Sequence, residues 1–174
     1  MNGIIIDEAR ILERAGEIAE EISRDFAGEE VLMVGILKGA VLWLCDVVKR
    51  VRTNVEIDFM AVSSYGAATK SSGVVRINKD LDVPIEGKNV IIVEDIVDSG
   101  VTLKYLVSHL MGRGPKCLRI CTLLDKPTGR RVEIEADYVG FTAPDEFIVG
   151  YGLDFNQKYR NLPYITSLAE GDSG

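Results

Sequence analysis

Apolar positions along this chain change spacing in a regular order. From Asp7 to about Phe26, the residues Ile11, Ala15, Ile18, Ala19, Ile22 and Phe26 recur at helical spacing with Glu, Arg and Asp opposite, which predicts an amphipathic first helix. Val31 to Leu37 is a short apolar run that reads as a strand. Lys38-Gly39-Ala40 turns at once into a second helix carrying Val41, Leu42, Leu44 and Val47 to about Arg50. Val55 to Val62 alternates as a strand with Ile57, Phe59 and Ala61 on one side, and Val74 to Ile77 with Val83-Pro84-Ile85 reads as a flanking ribbon. Gly87-Lys88 turns the chain into Val90-Ile91-Ile92-Val93, a β-branched run without polar alternation, as expected of a central strand covered on both faces of a parallel sheet. Leu103, Leu106, Val107 and Leu110 return to helical spacing and end near Met111-Gly112-Arg113-Gly114. Lys116 to Leu124 is a further strand. Strand, tight turn and helix recur, so the fold class is α/β with a mainly parallel sheet flanked by helices.

The richest chemistry follows the central strand. Glu94, Asp95 and Asp98 are three carboxylates in quick succession, followed by Ser99-Gly100-Val101-Thr102 at the start of a helix. The first N–H groups of a helix lack internal partners and lie at the positive end of its dipole, so an anion fits there. Gly100 permits close approach, and the Ser99 and Thr102 hydroxyls can add donors. Carboxylates would repel a phosphate and need another task, such as holding sugar hydroxyls, a divalent cation or a transferable proton. The stretch suggests a phosphorylated sugar. The plainer alternative is that Asp98 or Ser99 only caps the helix. Lys38 and Lys126 occupy the same topological place as Asp98, just past a strand's carboxyl end, where open α/β sheets hold their ligands.

Length and charge narrow the partners. With 174 residues the chain suits one domain, residues 1–174, and 47% hydrophobic with 27% charged residues is ordinary for a globular protein. A net charge of −7 argues against surfaces for nucleic acid or anionic membrane, so phosphate binding must be local. The amino terminus lacks a basic region and an apolar run of signal-peptide length, and a cytoplasmic protein is expected. Cys45, Cys117 and Cys121 are odd in number and read as buried thiols. His109, the only histidine, reads as a helix-surface or core residue.

The run from Val90 to Thr102 resembles the phosphoribosyl-diphosphate signature of type I phosphoribosyltransferases: four apolar residues, Glu-Asp, two apolar residues, Asp, a hydroxyl residue, Gly, any residue, Thr. The resemblance implies that Glu94 and Asp95 face the ribose hydroxyls, while Asp98, Ser99, Gly100, Val101 and Thr102 hold the 5′-phosphate. Leu37-Lys38-Gly39 is similar to the family's diphosphate-binding loop, which contains a non-proline cis peptide. Ser63-Ser64-Tyr65-Gly66 opens a long polar loop through Gly73; it is a loose tip or a lid, and the likeness favours the family's mobile loop, with Ser64 and Tyr65 in it. Val101 stands where some relatives carry lysine, and Ala40 where some carry a second glycine.

The last third matches the base-binding hood of hypoxanthine-guanine phosphoribosyltransferases, including Gly-Tyr-x-Leu-Asp-x-Asn from Gly150 and Tyr159-Arg160-Asn161-Leu162. That family implies a small hood subdomain from about 137–174 plus part of the amino terminus. By the same likeness Lys126 donates to a purine 6-oxo group, Phe147 stacks on the base, and Ile148 offers backbone hydrogen bonds. Asp98 exchanges a proton near purine N7, and Arg160 contacts diphosphate. Asp154 joins the purine site and, with Glu94 and Asp95, holds Mg2+. The substrates implied are phosphoribosyl diphosphate and a 6-oxopurine, in a homodimer or homotetramer without nucleic acid or membrane. A xanthine-preferring enzyme and a phosphoribosyl-diphosphate-sensing regulator on the same fold stay open as alternatives.

Overall fold

A computed structural model describes residues 3–64 and 75–168. The elements are β1 (Ile4–Ile6), α1 (Glu8–Asp25), β2 (Glu30–Leu37), α2 (Val41–Val48), β3 (Asn54–Ser64), β4 (Val75–Lys79), β5 (Asn89–Val97), α3 (Val101–Met111) and β6 (Cys117–Asp125). A single 3-10 turn, Pro127–Gly129, precedes β7 (Tyr138–Thr142), β8 (Ile148–Val149) and β9 (Ile165–Ser167). Six strands form one sheet in the order β4-β3-β2-β5-β6-β7, parallel except for the antiparallel β3–β4 pair. A second, antiparallel sheet has the order β1-β9-β8, joining the amino-terminal strand to the last third of the chain.

Side-chain alternation explains why β2 and β5 read as unbroken apolar runs. Val31, Met33, Ile91 and Val93 pack into one cluster with α1 and α2, whereas Leu32, Val34, Val90 and Ile92 pack into another with Leu103, Leu106 and Leu110 of α3. Both faces of the central strands are therefore covered, and polar groups are pushed to their ends. Asp7 caps α1 by accepting from the Arg10 N–H at 2.9 Å. Arg14 ties the helix to the sheet's edge, its Nη2 donating to Val139 O at 2.8 Å.

Several expectations change. β5 does not stop at Val93 but runs through Glu94 and Asp95 to Val97, so these acids belong to the strand and not to a turn. Val83-Pro84-Ile85 forms no strand, and the ribbon beside β3 is β4 alone. On the Ile57 side of β3, Val55 and Phe59 pack against the α1–α2 cluster as the alternation implies, but Ile57 itself is 50% exposed, while Asp58 and Met60 on the other side are buried. Asp58 tolerates this because its carboxylate accepts from the Phe59 and Asp82 N–H groups and faces Lys79 at 3.6 Å. In α2 the large buried side chain is Trp43, and Leu42 points outward. Cys45 is exposed; only Cys121 is fully buried, and all three cysteines are free. Tyr138–Thr142, at the start of the segment assigned to the hood, is the edge of the large sheet.

Leu106 and Ile57 are a buried and an exposed position of this packing. Leu106→Ala, in the closed layer under α3, should cost about 2–5 kcal/mol in urea denaturation. Ile57→Ala should stay within about 0.5 kcal/mol of the parent. A large loss for Ile57→Ala would mean that Ile57 itself is covered.

Candidate active site

The carboxyl ends of β2, β5 and β6 lie side by side, and each is followed by a residue singled out in the sequence. After β2 the Leu37–Lys38 peptide is cis, and the Lys38 ammonium donates to Gln157 Oε1 at 3.1 Å. Gly39 lies so close to β5 that a Cβ there would sit 1.6 Å from Asp95 Oδ2, so no other residue type fits without displacing the carboxylate.

After β5, Asp98 and Ser99 lead to Gly100, the residue before α3, which has φ 76°. That left-handed backbone favours glycine, and a Cβ would also meet Ile134 Cγ2 at 2.6 Å. Among the described residues no side chain caps α3. Asp98 is therefore not a helix cap, and Ser99 Oγ makes only a long contact with the Val101 N–H, at 3.4 Å. The turn keeps the open N–H groups of a helix start beside two hydroxyl residues, as an anion site requires.

After β6, Lys126 projects toward the segment before β8. Its ammonium donates to Glu146 O at 3.1 Å and lies 3.6 Å from Asp145. One pocket gathers Asp98 and Lys126 with Phe147, Ile148 and Asp154, floored by Ile96 and Leu153. Phe147 is 57% exposed and touches Phe155 edge-on, with ring centroids 5.6 Å apart. An exposed aromatic beside a polar pocket offers a face for a planar ligand.

Two carboxylates sit deeper. Burial pushes Glu94 well above the ordinary carboxylate range, and neighbouring Asp95 adds to the shift. Asp95 is also raised, chiefly by burial; Arg160 opposes this and Asp154 reinforces it. Arg160 is committed to the turn below it: Nη1 donates to Gly152 O and Nη2 pairs with Asp154 Oδ1, both at 2.6 Å. Its buried Nε has no partner among the described residues.

Glu94, Asp95 and Asp154 do not form a ready-made metal cage, and no group of three metal-ligating side chains occurs among the described residues. Asp154 is instead occupied by Arg160 and by the Gln157 N–H, at 2.8 Å. This donor set suits an Mg2+ that keeps its waters and arrives on phosphate oxygens, which is how that ion is usually held. Tyr65 and the loop through Gly73 lie outside the described residues, and Ser64 closes β3. Sequence reasoning missed Gly129, Arg130, Phe155 and Gln157. Gly129, Arg130 and Gln157 act through partners distant in the chain, Phe155 through Phe147 across a turn, and only Arg130, in a turn after a strand, carried even a positional hint.

A family model described as a phosphoribosyl transferase domain matches residues 3–156. The hypoxanthine-guanine phosphoribosyltransferase of Bacillus subtilis is 49% identical over 165 residues, covering 95% of this chain and 92% of that one. A bifunctional protein TilS/HprT of Listeria monocytogenes is 53% identical over 165 residues, but this chain spans only 26% of its length. Among solved structures, a hypoxanthine phosphoribosyltransferase from Staphylococcus aureus superposes with a TM-score of 0.94 at 46% identity, over 97% of this chain and 92% of that one.

The raised Glu94 gives a pH test. A carboxyl whose folded pKa lies above its unfolded value favours the folded state at low pH, and that contribution is lost as pH rises through the folded value. Glu94→Gln should therefore melt higher than the parent at pH 7–8, by about 2–4 °C per kcal/mol recovered. The gap should shrink as pH falls toward the unperturbed value of 4.5. A gap in Tm that is constant with pH would contradict a buried, titrating Glu94.

Proposed function

The chain belongs to the phosphoribosyl transferase domain family, and from that premise we propose that it joins hypoxanthine or guanine to the ribose of phosphoribosyl diphosphate in purine salvage. Purine N9 bonds to ribose C1, the bond from C1 to the diphosphate oxygen breaks, and the nucleoside monophosphate and diphosphate leave. The observation that carries the reading is the meeting of Asp98 and Lys126 in one pocket, from the ends of adjacent strands, opposite exposed Phe147.

In this reading each group has a task set by its surroundings. The turn from Asp98 to Thr102 receives the 5′-phosphate at the uncapped start of α3. Glu94 and Asp95, both raised by burial, hold the ribose hydroxyls. Lys38 and Gly39 line the diphosphate side with Arg160, whose unpartnered Nε leaves donor capacity there. Lys126 leaves Glu146 O for the purine 6-oxo group, which selects against adenine because an amino group cannot accept that bond. Phe147 stacks on the base, and the Ile148 backbone meets its edge. The small sheet acts as the hood over this pocket.

Asp98 takes or returns the proton at purine N7 as N9 attacks. Bound Mg2+ would neutralise charge on the diphosphate, and Glu94, Asp95 and Asp154 would hold it through its waters. Assembly as a homodimer or homotetramer belongs to the same reading, with exposed Leu42 and Met111 as apolar surface to cover.

Turnover with phosphoribosyl diphosphate and Mg2+ should be measured for hypoxanthine, guanine, xanthine, adenine and uracil. Hypoxanthine and guanine should react and adenine should not; uracil as sole substrate, or no turnover with salt-sensitive nucleic-acid binding, would overturn the reading. Asp98→Asn should lower kcat by about two to four orders of magnitude with little change in phosphoribosyl-diphosphate affinity. Asp95→Asn should act on affinity and rate together. Equal, modest losses in both variants would remove Asp98 as the base.

A further inference from the structure

Arg130 follows the 3-10 turn four residues beyond Lys126, and its side chain is only 18% exposed. It does not line the base pocket, yet its guanidinium is spent on four groups from separate segments. Nε donates to Asp98 O at 3.1 Å, and Nη2 to Val97 O at 3.3 Å and to the Asp125 carboxylate. Nη1 donates to Ile134 O. Asp98 and Val97 belong to the end of β5, Asp125 to the end of β6, and Ile134 to the return segment. Backbone contacts repeat the link: Arg131 N–H donates to Ser99 O and Lys126 N–H to Val97 O, both at 2.9 Å.

The same segment presses on Asp98 itself. Gly129 stands so close that a Cβ there would lie 1.6 Å from Asp98 Oδ1, while Arg130 Cδ and Ile134 Cγ2 fill the space behind Gly100. A planar guanidinium has enough fixed donors to serve three carbonyls and a carboxylate at once; a lysine ammonium is a compact point with three.

We propose that Arg130 is a positioning residue that fixes Asp98 and the anion-binding turn after β5 at a set distance from Lys126. This deepens the purine-transfer reading and rests on it, because the proton step at Asp98 is what the positioning serves. Lys126 touches the base's oxo side and Asp98 its N7 side, so an error in their separation acts on the reacting geometry. Arg130 touches neither substrate.

The test is a double-mutant cycle between Arg130→Lys and Asp98→Asn, reading kcat, both KM values and Tm for each variant. Arg130→Lys alone should lower kcat by about tenfold to a hundredfold, the scale of a misplaced catalytic group. In the Asp98→Asn background the same change should cost about twofold or less, because the group it positions has lost its chemistry. Equal fold losses in both backgrounds would make Arg130 a general structural residue and overturn the proposal, as would parental kcat in a folded Arg130→Lys. Should Arg130→Lys not fold, Asp125→Asn loosens the same clamp while keeping shape. Its smaller loss should likewise vanish beside Asp98→Asn, and a folded Asp125→Asn with parental kcat would overturn the proposal. Parental turnover in Asp98→Asn itself would instead remove the purine-transfer assignment of Asp98, an outcome separate from the Arg130 result.

Discussion

The contact on which the upper end of the molecule depends is the approach of Asp95 to Gly39. Missing side chains let a carboxylate and two backbones meet there: a Cβ on Gly39 would meet Asp95 Oδ2 at 1.6 Å, and one on Gly152 would meet Gly39 O at 2.0 Å. The end of β5 reaches the turn after β2 through the Asp95 carboxylate, and that turn meets the one beneath the small sheet backbone to backbone. Arg160 closes the stack by donating to Gly152 O and pairing with Asp154, while its charge opposes the raised pKa of Asp95. Displacing any one member moves the others.

The same end of the molecule is where an acidic protein can favour an anion. The net charge is −7, so attraction must come from local donors: the uncapped start of α3, Lys38, Lys126 and Arg160 all lie at one sheet edge. Glu94 and Asp95 counter this field least when protonated, and burial drives them that way. A buried carboxyl with no cationic side chain beside it lowers stability at neutral pH. Such sites are kept for their chemistry and not for the fold.

How far the sequence could be read depended on whether the informative contact was local. The β5–turn–α3 unit was legible because burial on both faces writes an apolar run and a helix start writes small and hydroxyl residues. The extent of β5 was not, since Glu94 and Asp95 look like turn residues until the strand is seen to end between two covering layers. α2 is apolar except for Asp46, so periodicity could not decide between Trp43 and Leu42 for the core, or show that Cys45 faces out. In β3 the alternation put Ile57 and Phe59 on one side but could not show that Ile57 is exposed there, nor that Asp58 opposite is buried with the Asp82 N–H as a donor. Gly129 and Arg130 meet Asp98 across about thirty residues of chain. No local pattern records that pairing.

The front wall of the pocket is governed differently from its rear. Tyr151, Asn156, Gln157 and Tyr159 all have positive φ, between 48° and 75°, within nine residues. Each such non-glycine residue costs on the order of 1–3 kcal/mol unless its surroundings enforce it. Here they do: Tyr151 OH bonds to the Asp46 carboxylate on α2, its N–H donates to Leu162 O at 2.8 Å, Gly152 N–H to Arg160 O at 3.0 Å, and Gln157 N–H to Asp154 Oδ2 at 2.8 Å. The turn so enforced brings Phe155 edge-on to Phe147 and sets Gln157 against Lys38. One strained segment therefore shapes both the aromatic wall of the pocket and the setting of Lys38. A shift at either place is passed to the other through a main chain that has little freedom to relax.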